Sequence, residues 1–261
     1  MDKLSFNRGG RVLAPSLFTV GNMACGFYAL LAVHERDFPA AATAILAGMV
    51  FDSLDGRVAR LVHGESTFGV EFDSLSDFLS FGIAPAIMIY GFILKDYGAW
   101  GYPLAFLYAL CGALRLARFN ISAQGSAPPK SHFTGLPIPA GAGFLASFVL
   151  LYQIVEEGRP ARTWKFLMDQ VPALYALVPA MVLCLAFLMI STIPYPTFKN
   201  ISPTRPHSTR ILVGLVLAGL VIFRYPQNAV FLIFFIYVLL GPAGTIVRTA
   251  RRLLRRKTSS V

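Results

Sequence analysis

Residues Leu75–Leu94 read LSDFLSFGIAPAIMIYGFIL, and after Asp77 they hold no charge at all. Twenty residues of α-helix rise about 30 Å, the thickness of a bilayer's hydrocarbon core. Further apolar runs lie at Val12–Val33, Ala40–Phe51, Pro103–Leu116, Leu136–Val155, Leu174–Ile193, Ile211–Phe223 and Ala229–Ile246. The Ala40, Pro103 and Ile211 runs are short unless their polar flanks continue the helix. The expected fold is an all-α polytopic membrane protein of about eight transmembrane helices. The first run is long and lacks a small-residue cleavage site, so it reads as an uncleaved helix.

The whole composition agrees. The 261 residues are 56% apolar and only 14% charged, with mean hydropathy +0.62, whereas soluble domains carry about 25% charged residues. That excludes a water-soluble globular enzyme, a disordered chain and a disulfide-stapled secreted module. Cys25, Cys111 and Cys184 lie inside apolar runs without metal-ligand spacing and read as small buried hydrophobes.

The net charge of +10 does not point to nucleic acid. The cations gather at the termini and between apolar runs, as in Arg251-Arg252-Leu253-Leu254-Arg255-Arg256-Lys257, which suits a cytoplasmic tail on anionic lipid. With eight crossings and a cytoplasmic N-terminus, 17 of the 23 Lys and Arg residues fall on the cytoplasmic side, as the positive-inside rule requires. Seven crossings would strand the last six cations outside. Both termini are therefore expected in the cytoplasm of a cell whose inner membrane the chain spans repeatedly.

Carboxylates are scarce, so their grouping is informative. Six of the 13 acids, Asp52, Asp55, Glu65, Glu71, Asp73 and Asp77, fall within 26 residues. Asp52 and Asp55 stand at i, i+3, and Asp73 and Asp77 at i, i+4, so each pair shares a helical face. An acid facing lipid costs at least about 2.5 kcal/mol at mid-bilayer. Two adjacent helices presenting these faces would converge four carboxylates, which repel unless a cation lies between them. All-oxygen ligation favours a hard divalent ion such as Mg²⁺ or Mn²⁺, and four carboxylates can hold two ions about 4 Å apart. Spacing alone leaves a second reading open, that of solvated helix ends paired with Arg57 and Arg60. Gly56 and Ala59 beside the acids favour the first: small residues let a planar group approach, and a mid-helix glycine costs about 1 kcal/mol relative to alanine.

Asp52-Ser53-Leu54-Asp55-Gly56-Arg57-Val58-Ala59-Arg60, then Gly69, Asp73 and Asp77, form the pattern D-x2-D-G-x2-A-R-x8-G-x3-D-x3-D. This resembles the CDP-alcohol phosphotransferase signature at every position. Pro15–Asn22 with Gly26, Asp77–Pro85, Arg115–Asn120, Phe133–Pro139 and Tyr195–Lys199 resemble the phosphatidylserine synthase branch, although Ser16 stands where that branch often has Asn. The resemblance covers residues 1–200, the expected catalytic region of about six helices. Residues 201–261 hold two further helices and the basic tail.

The resemblance implies an integral membrane enzyme that moves a phosphatidyl group from CDP-diacylglycerol to L-serine and releases CMP. It implies two divalent cations per site, Asp52, Asp55 and Asp73 holding one and Asp52, Asp73 and Asp77 the other. Asp77 would double as the base for the acceptor hydroxyl. Thr19, Asn22, Gly56, Ala59, Arg60 and Gly69 would line the CDP site, and a homodimer is implied. Serine also needs a cation for its carboxylate. Arg115 and Arg118, with Asn120 and Lys130, are candidates for acceptor or lipid-phosphate binding, because a guanidinium fork suits either anion; positive-inside anchoring is the plainer alternative. The rivals are another acceptor in the same family (glycerol 3-phosphate, inositol phosphate or choline) and, in another class, a cation transporter that uses the acids as an ion path.

Overall fold

A backbone in lipid must satisfy its own hydrogen bonds, and the apolar runs accordingly fold as helices. The computed structural model describes residues 3–62, 67–124, 132–156, 165–196 and 224–258. Its elements are α1 (Lys3–His34), α2 (Phe38–Val62), α3 (Thr67–Asp77), a π-helical segment (Phe78–Ile83), α4 (Ala84–Phe92), a 3₁₀ segment (Leu94–Trp100), α5 (Gly101–Gln124), β1 (His132–Thr134), α6 (Ile138–Glu156), α7 (Lys165–Ile190), β2 (Pro194–Pro196) and α8 (Pro226–Thr258). Five helical stretches are long and apolar enough to cross a membrane, beginning at Leu17, Phe38, Phe68, Leu94 and Pro226; shorter apolar helices occupy Ile138–Gln153 and Ala176–Ile190. The chain is a multi-pass membrane protein. The expected run Ile211–Phe223 lies outside the described residues.

The α1–α2 hairpin is set by its turn. Arg36 takes a positive φ of 62°, and the Asp37 carboxylate accepts the Ala40 N–H at 3.0 Å, capping α2 with Pro39 in the first turn. Small residues then bring the two helices together: Ala29, Ala32, Ala41 and Ala42 are all buried, as expected where packing must do without a hydrophobic drive. A Cβ on Gly48 would lie 2.9 Å from Asn22 Oδ1.

The run that opened the sequence reading is not one regular helix. After Asp77 it widens into the π-helical turn, a distortion frequent at functional sites, and Tyr108 Oη donates to the Phe81 carbonyl within it at 3.3 Å. The segment presses on α1: a Cβ on Gly26 would come 2.8 Å from Ser80 Cα. The buried helix α6 packs against α2 on one side and α8 on the other, with Phe144 and Phe148 stacked against Phe231 of α8.

The all-α expectation needs one correction. Two stretches about 60 residues apart pair as a small antiparallel ribbon, Phe133 opposite Tyr195 and Thr134 opposite Pro194. Gly135 leaves it with φ +83°, where an added Cβ would sit 3.0 Å from the Ser191 carbonyl oxygen; only glycine suits both demands. The cysteine expectation also changes, because Cys111 is buried but Cys25 is only half-buried and Cys184 is exposed. Outward-facing positions on a membrane helix are as apolar as the core.

The ribbon locks α8. Pro242 lies inside α8 and has no N–H for the carbonyl four residues earlier, that of Val238. The fully buried Tyr195 fills the gap, its hydroxyl donating to the Val238 carbonyl at 3.1 Å. Gly241 makes room, since a Cβ there would fall 2.6 Å from the Tyr195 ring. Tyr195→Phe strands a buried carbonyl and is expected to cost about 1–3 kcal/mol, seen as a lower melting temperature of the purified protein. Pro242→Ala, which supplies the missing N–H, should recover most of that loss in the Tyr195→Phe background.

Candidate active site

One turn of α1 organises the acids. The Thr19 hydroxyl donates to the Asp55 carboxylate, while its backbone carbonyl accepts from Ser76 Oγ at 3.0 Å. Three residues on, Asn22 Nδ2 donates to Asp77 Oδ1 at 3.0 Å, and its carbonyl accepts from Ser80 Oγ at 2.9 Å. Thr19, Asn22, Ser76 and Ser80 are all buried. These four bonds fix α2 and α3 against α1 and aim Asp55 and Asp77 from opposite sides. Sequence reasoning passed over Ser76 and Ser80, although Asp73, Ser76, Asp77 and Ser80 form one polar stripe at helical spacing in an otherwise apolar run.

Asp52, Asp73 and Asp77 each offer a carboxylate oxygen, and the three lie within 4.8 Å of one another. Asp73 Oδ1 is buried with no hydrogen-bond donor, as is Asn22 Oδ1. Clustered anionic oxygens with buried, unbonded lone pairs are the environment a hard divalent cation needs, so the residues fit the expected metal. Asp55 stands apart from this trio, buried and held by Thr19. Of the four expected ligands, three converge and the fourth is held beside them. The pairing of Asp55 with Arg57 is not observed; Arg57 is exposed.

The expected nucleotide residues divide into two sets. Gly56 is exposed, and a Cβ there would meet nothing within 4 Å, leaving open space next to the acids. Thr19 and Asn22 spend their side-chain donors on carboxylates, which makes them holders of the acids. Gly69 lies half-buried on α3. Ala59 and Arg60 continue α2, but their side chains lie outside the described residues.

The expected acceptor set separates. Arg115 is largely buried; its guanidinium interacts electrostatically with Asp77 and with Tyr237 of α8, and its Nε has no hydrogen-bond partner. Arg118 is exposed and turns away, Nη1 donating to the Ile190 carbonyl at the end of α7 at 3.3 Å. Asn120 bonds Ser74 at 3.0 Å and Glu71 at 3.3 Å, tying α5 to α3. The reason is angular: α5 continues as regular helix to Gln124, and positions 115, 118 and 120 point in different directions around it. Lys130 lies outside the described residues. Tyr237 was not anticipated, because nothing local to α8 marks it.

Comparison with known proteins agrees with this site. A family model described as CDP-alcohol phosphatidyltransferase matches residues 12–183. The chain is 34% identical to the CDP-diacylglycerol–serine O-phosphatidyltransferase of Helicobacter pylori (strain ATCC 700392 / 26695) over 229 residues, 88% of this chain and 89% of that protein. It is 32% identical to the Bacillus subtilis (strain 168) protein of the same name over 71% of this chain and 91% of that one. The archaetidylserine synthase of Methanothermobacter thermautotrophicus is 40% identical over 53% of this chain and 58% of its own length. The acids, the open space at Gly56 and these similarities together make the chain a member of the CDP-alcohol phosphatidyltransferase family.

Proposed function

We propose that this protein is a CDP-diacylglycerol–serine O-phosphatidyltransferase that makes phosphatidylserine and CMP. The observation that carries the reading is the convergence of Asp52, Asp73 and Asp77 within 4.8 Å beside the open space at Gly56. The names of relatives that span most of the chain support the choice of serine. The protein works as an eight-span homodimer in the cell's inner membrane, with the site and both termini cytoplasmic. The distribution of its basic residues supports that orientation, and the family resemblance supports the dimer.

The chemistry follows from the donor set. Asp52, Asp73 and Asp77, with Asp55 alongside, would hold divalent cations, which neutralise the pyrophosphate and the charge that grows on departing CMP. The cytidine lies over Gly56 while the lipid tails stay in the bilayer. The serine oxygen forms a bond to the phosphorus bearing diacylglycerol as the pyrophosphate P–O bond breaks, and CMP leaves with the electron pair. The serine hydroxyl is a poor nucleophile when neutral, so Asp77, held by Asn22, accepts its proton during attack. Arg115, beside Asp77 and with Nε unbonded, is suited to the serine carboxylate.

Membranes given CDP-diacylglycerol and one alcohol at a time should release CMP with serine in preference to glycerol 3-phosphate, inositol phosphate or choline. Preference for another alcohol would reassign the acceptor, and nucleotide-free ion flux without CMP would favour transport. Asp77→Asn should lower CMP release about 10²–10⁴-fold, the range for loss of a general base, with the melting temperature unchanged. Adding Mg²⁺ or Mn²⁺ to metal-stripped protein should raise its melting temperature, because only the folded state gathers the acids. Asp73→Asn should abolish that shift, and full activity in excess chelator would overturn the metal assignment.

A further inference from the structure

The family-matched region ends at residue 183, yet Arg115 meets a residue far beyond it. Asp77 and Tyr237 both act electrostatically on the Arg115 guanidinium. Arg115 Nε meanwhile stays buried without a partner, so the fork is occupied around its edges and open at one donor. A guanidinium on a flexible stem has many rotamers, and fixing one demands neighbours on more than one side. Asp77 supplies attraction from α3. The other neighbour comes from α8.

Tyr237 is itself held firmly. Its ring packs on Tyr195 with centroids 5.7 Å apart and planes inclined by 35°. Tyr195 is fully buried and bonded to the carbonyl of the next residue, Val238, at the notch made by Gly241 and Pro242. That bond sets the rotation of α8 where Tyr237 projects. A helix without the notch would have no free carbonyl to be gripped there. The ribbon thus fixes α8, and α8 presents Tyr237 to Arg115.

Building on the proposed serine acceptor, we infer that Tyr237 is a positioning residue. It holds the Arg115 guanidinium beside Asp77, leaving Nε to receive the acceptor's carboxylate. The last helix therefore completes the acceptor side of the site and sets affinity for the acceptor, while the nucleotide side is built from α2 and α3.

The test uses the full-length protein, purified and supplied with divalent cation, with initial rates of CMP release measured against each substrate separately. Tyr237→Phe keeps the ring on Tyr195 and removes the hydroxyl. It should raise the KM for serine about tenfold, the scale of one misdirected charge-assisted hydrogen bond, and leave the KM for CDP-diacylglycerol and the melting temperature within error. In an Arg115→Lys background the same change should alter the serine KM less than twofold, because the group it positions is gone. Wild-type protein active with serine, with Tyr237→Phe unchanged in serine KM, overturns the inference alone. So does an equal rise in both KM values with a lower melting temperature, or full additivity with Arg115→Lys. Wild-type protein that releases no CMP with serine overturns the proposed function and this inference with it.

Discussion

Mutual repulsion among three carboxylates is the constraint around which this structure is arranged. At 4.8 Å, two unit negative charges repel by about 3 kcal/mol at an effective dielectric near 20, so three ionised groups oppose one another by roughly 10 kcal/mol. That is comparable to the whole stability of a typical domain, about 5–15 kcal/mol. A fold that keeps such a cluster needs both a counter-charge and a scaffold stiff enough to prevent the acids from splaying. Divalent cations meet the first need. The second is met by hydrogen bonds in places where water is scarce.

The scaffold is economical in sequence. Thr19 and Asn22, one turn apart on α1, each use a side chain and a backbone carbonyl, and so grip α2 once and the α3–π segment three times. Bonds of this kind, buried between helices, resist loss because the alternative is an unsatisfied polar group in an apolar setting. Glycines bring the partners near enough: Gly26 beneath Ser80 and Gly48 beneath Asn22 leave no room for a Cβ. The π-helical turn begins directly after Asp77. It turns the following residues so that Ser80 faces α1 while Phe81 offers its carbonyl to Tyr108.

What the sequence disclosed, and what it withheld, follows the range of the interactions. Helix existence is written locally, in runs of apolar residues, and the described helices lie where those runs are. The acids were legible because i, i+3 and i, i+4 spacing is a local property and charges are rare in this chain. The π-helical turn was not, since a side chain contacting another helix decides it and the apolar pattern continues across it. The ribbon was invisible for a similar reason: Phe133 and Tyr195 meet only through tertiary packing, and three-residue strands carry no usable periodicity. Arg115, Arg118 and Asn120 look like one basic patch in sequence. They part company because a helix turns about 100° per residue, which sends Arg115 toward Asp77, Arg118 toward the end of α7 and Asn120 toward α3.

The two sides of the candidate site therefore differ in how they are encoded. The nucleotide side rests on a short motif, Asp52 to Asp77, whose residues are neighbours in sequence as well as in space, so it can be recognised in a single chain. The acceptor side draws Asp77 from α3, Arg115 from α5 and Tyr237 from α8, and it depends on a tyrosine in β2 that grips a proline-made gap in α8. No window of sequence contains that set. A helix that carries no motif is consequently still part of the chemistry: its notch at Pro242 is a defect by the rules of helix formation, and the defect is what allows Tyr195 to fix its rotation. Where a local rule is broken and an exact partner is present to satisfy the break, the break is better understood as a means of placement than as a tolerated flaw.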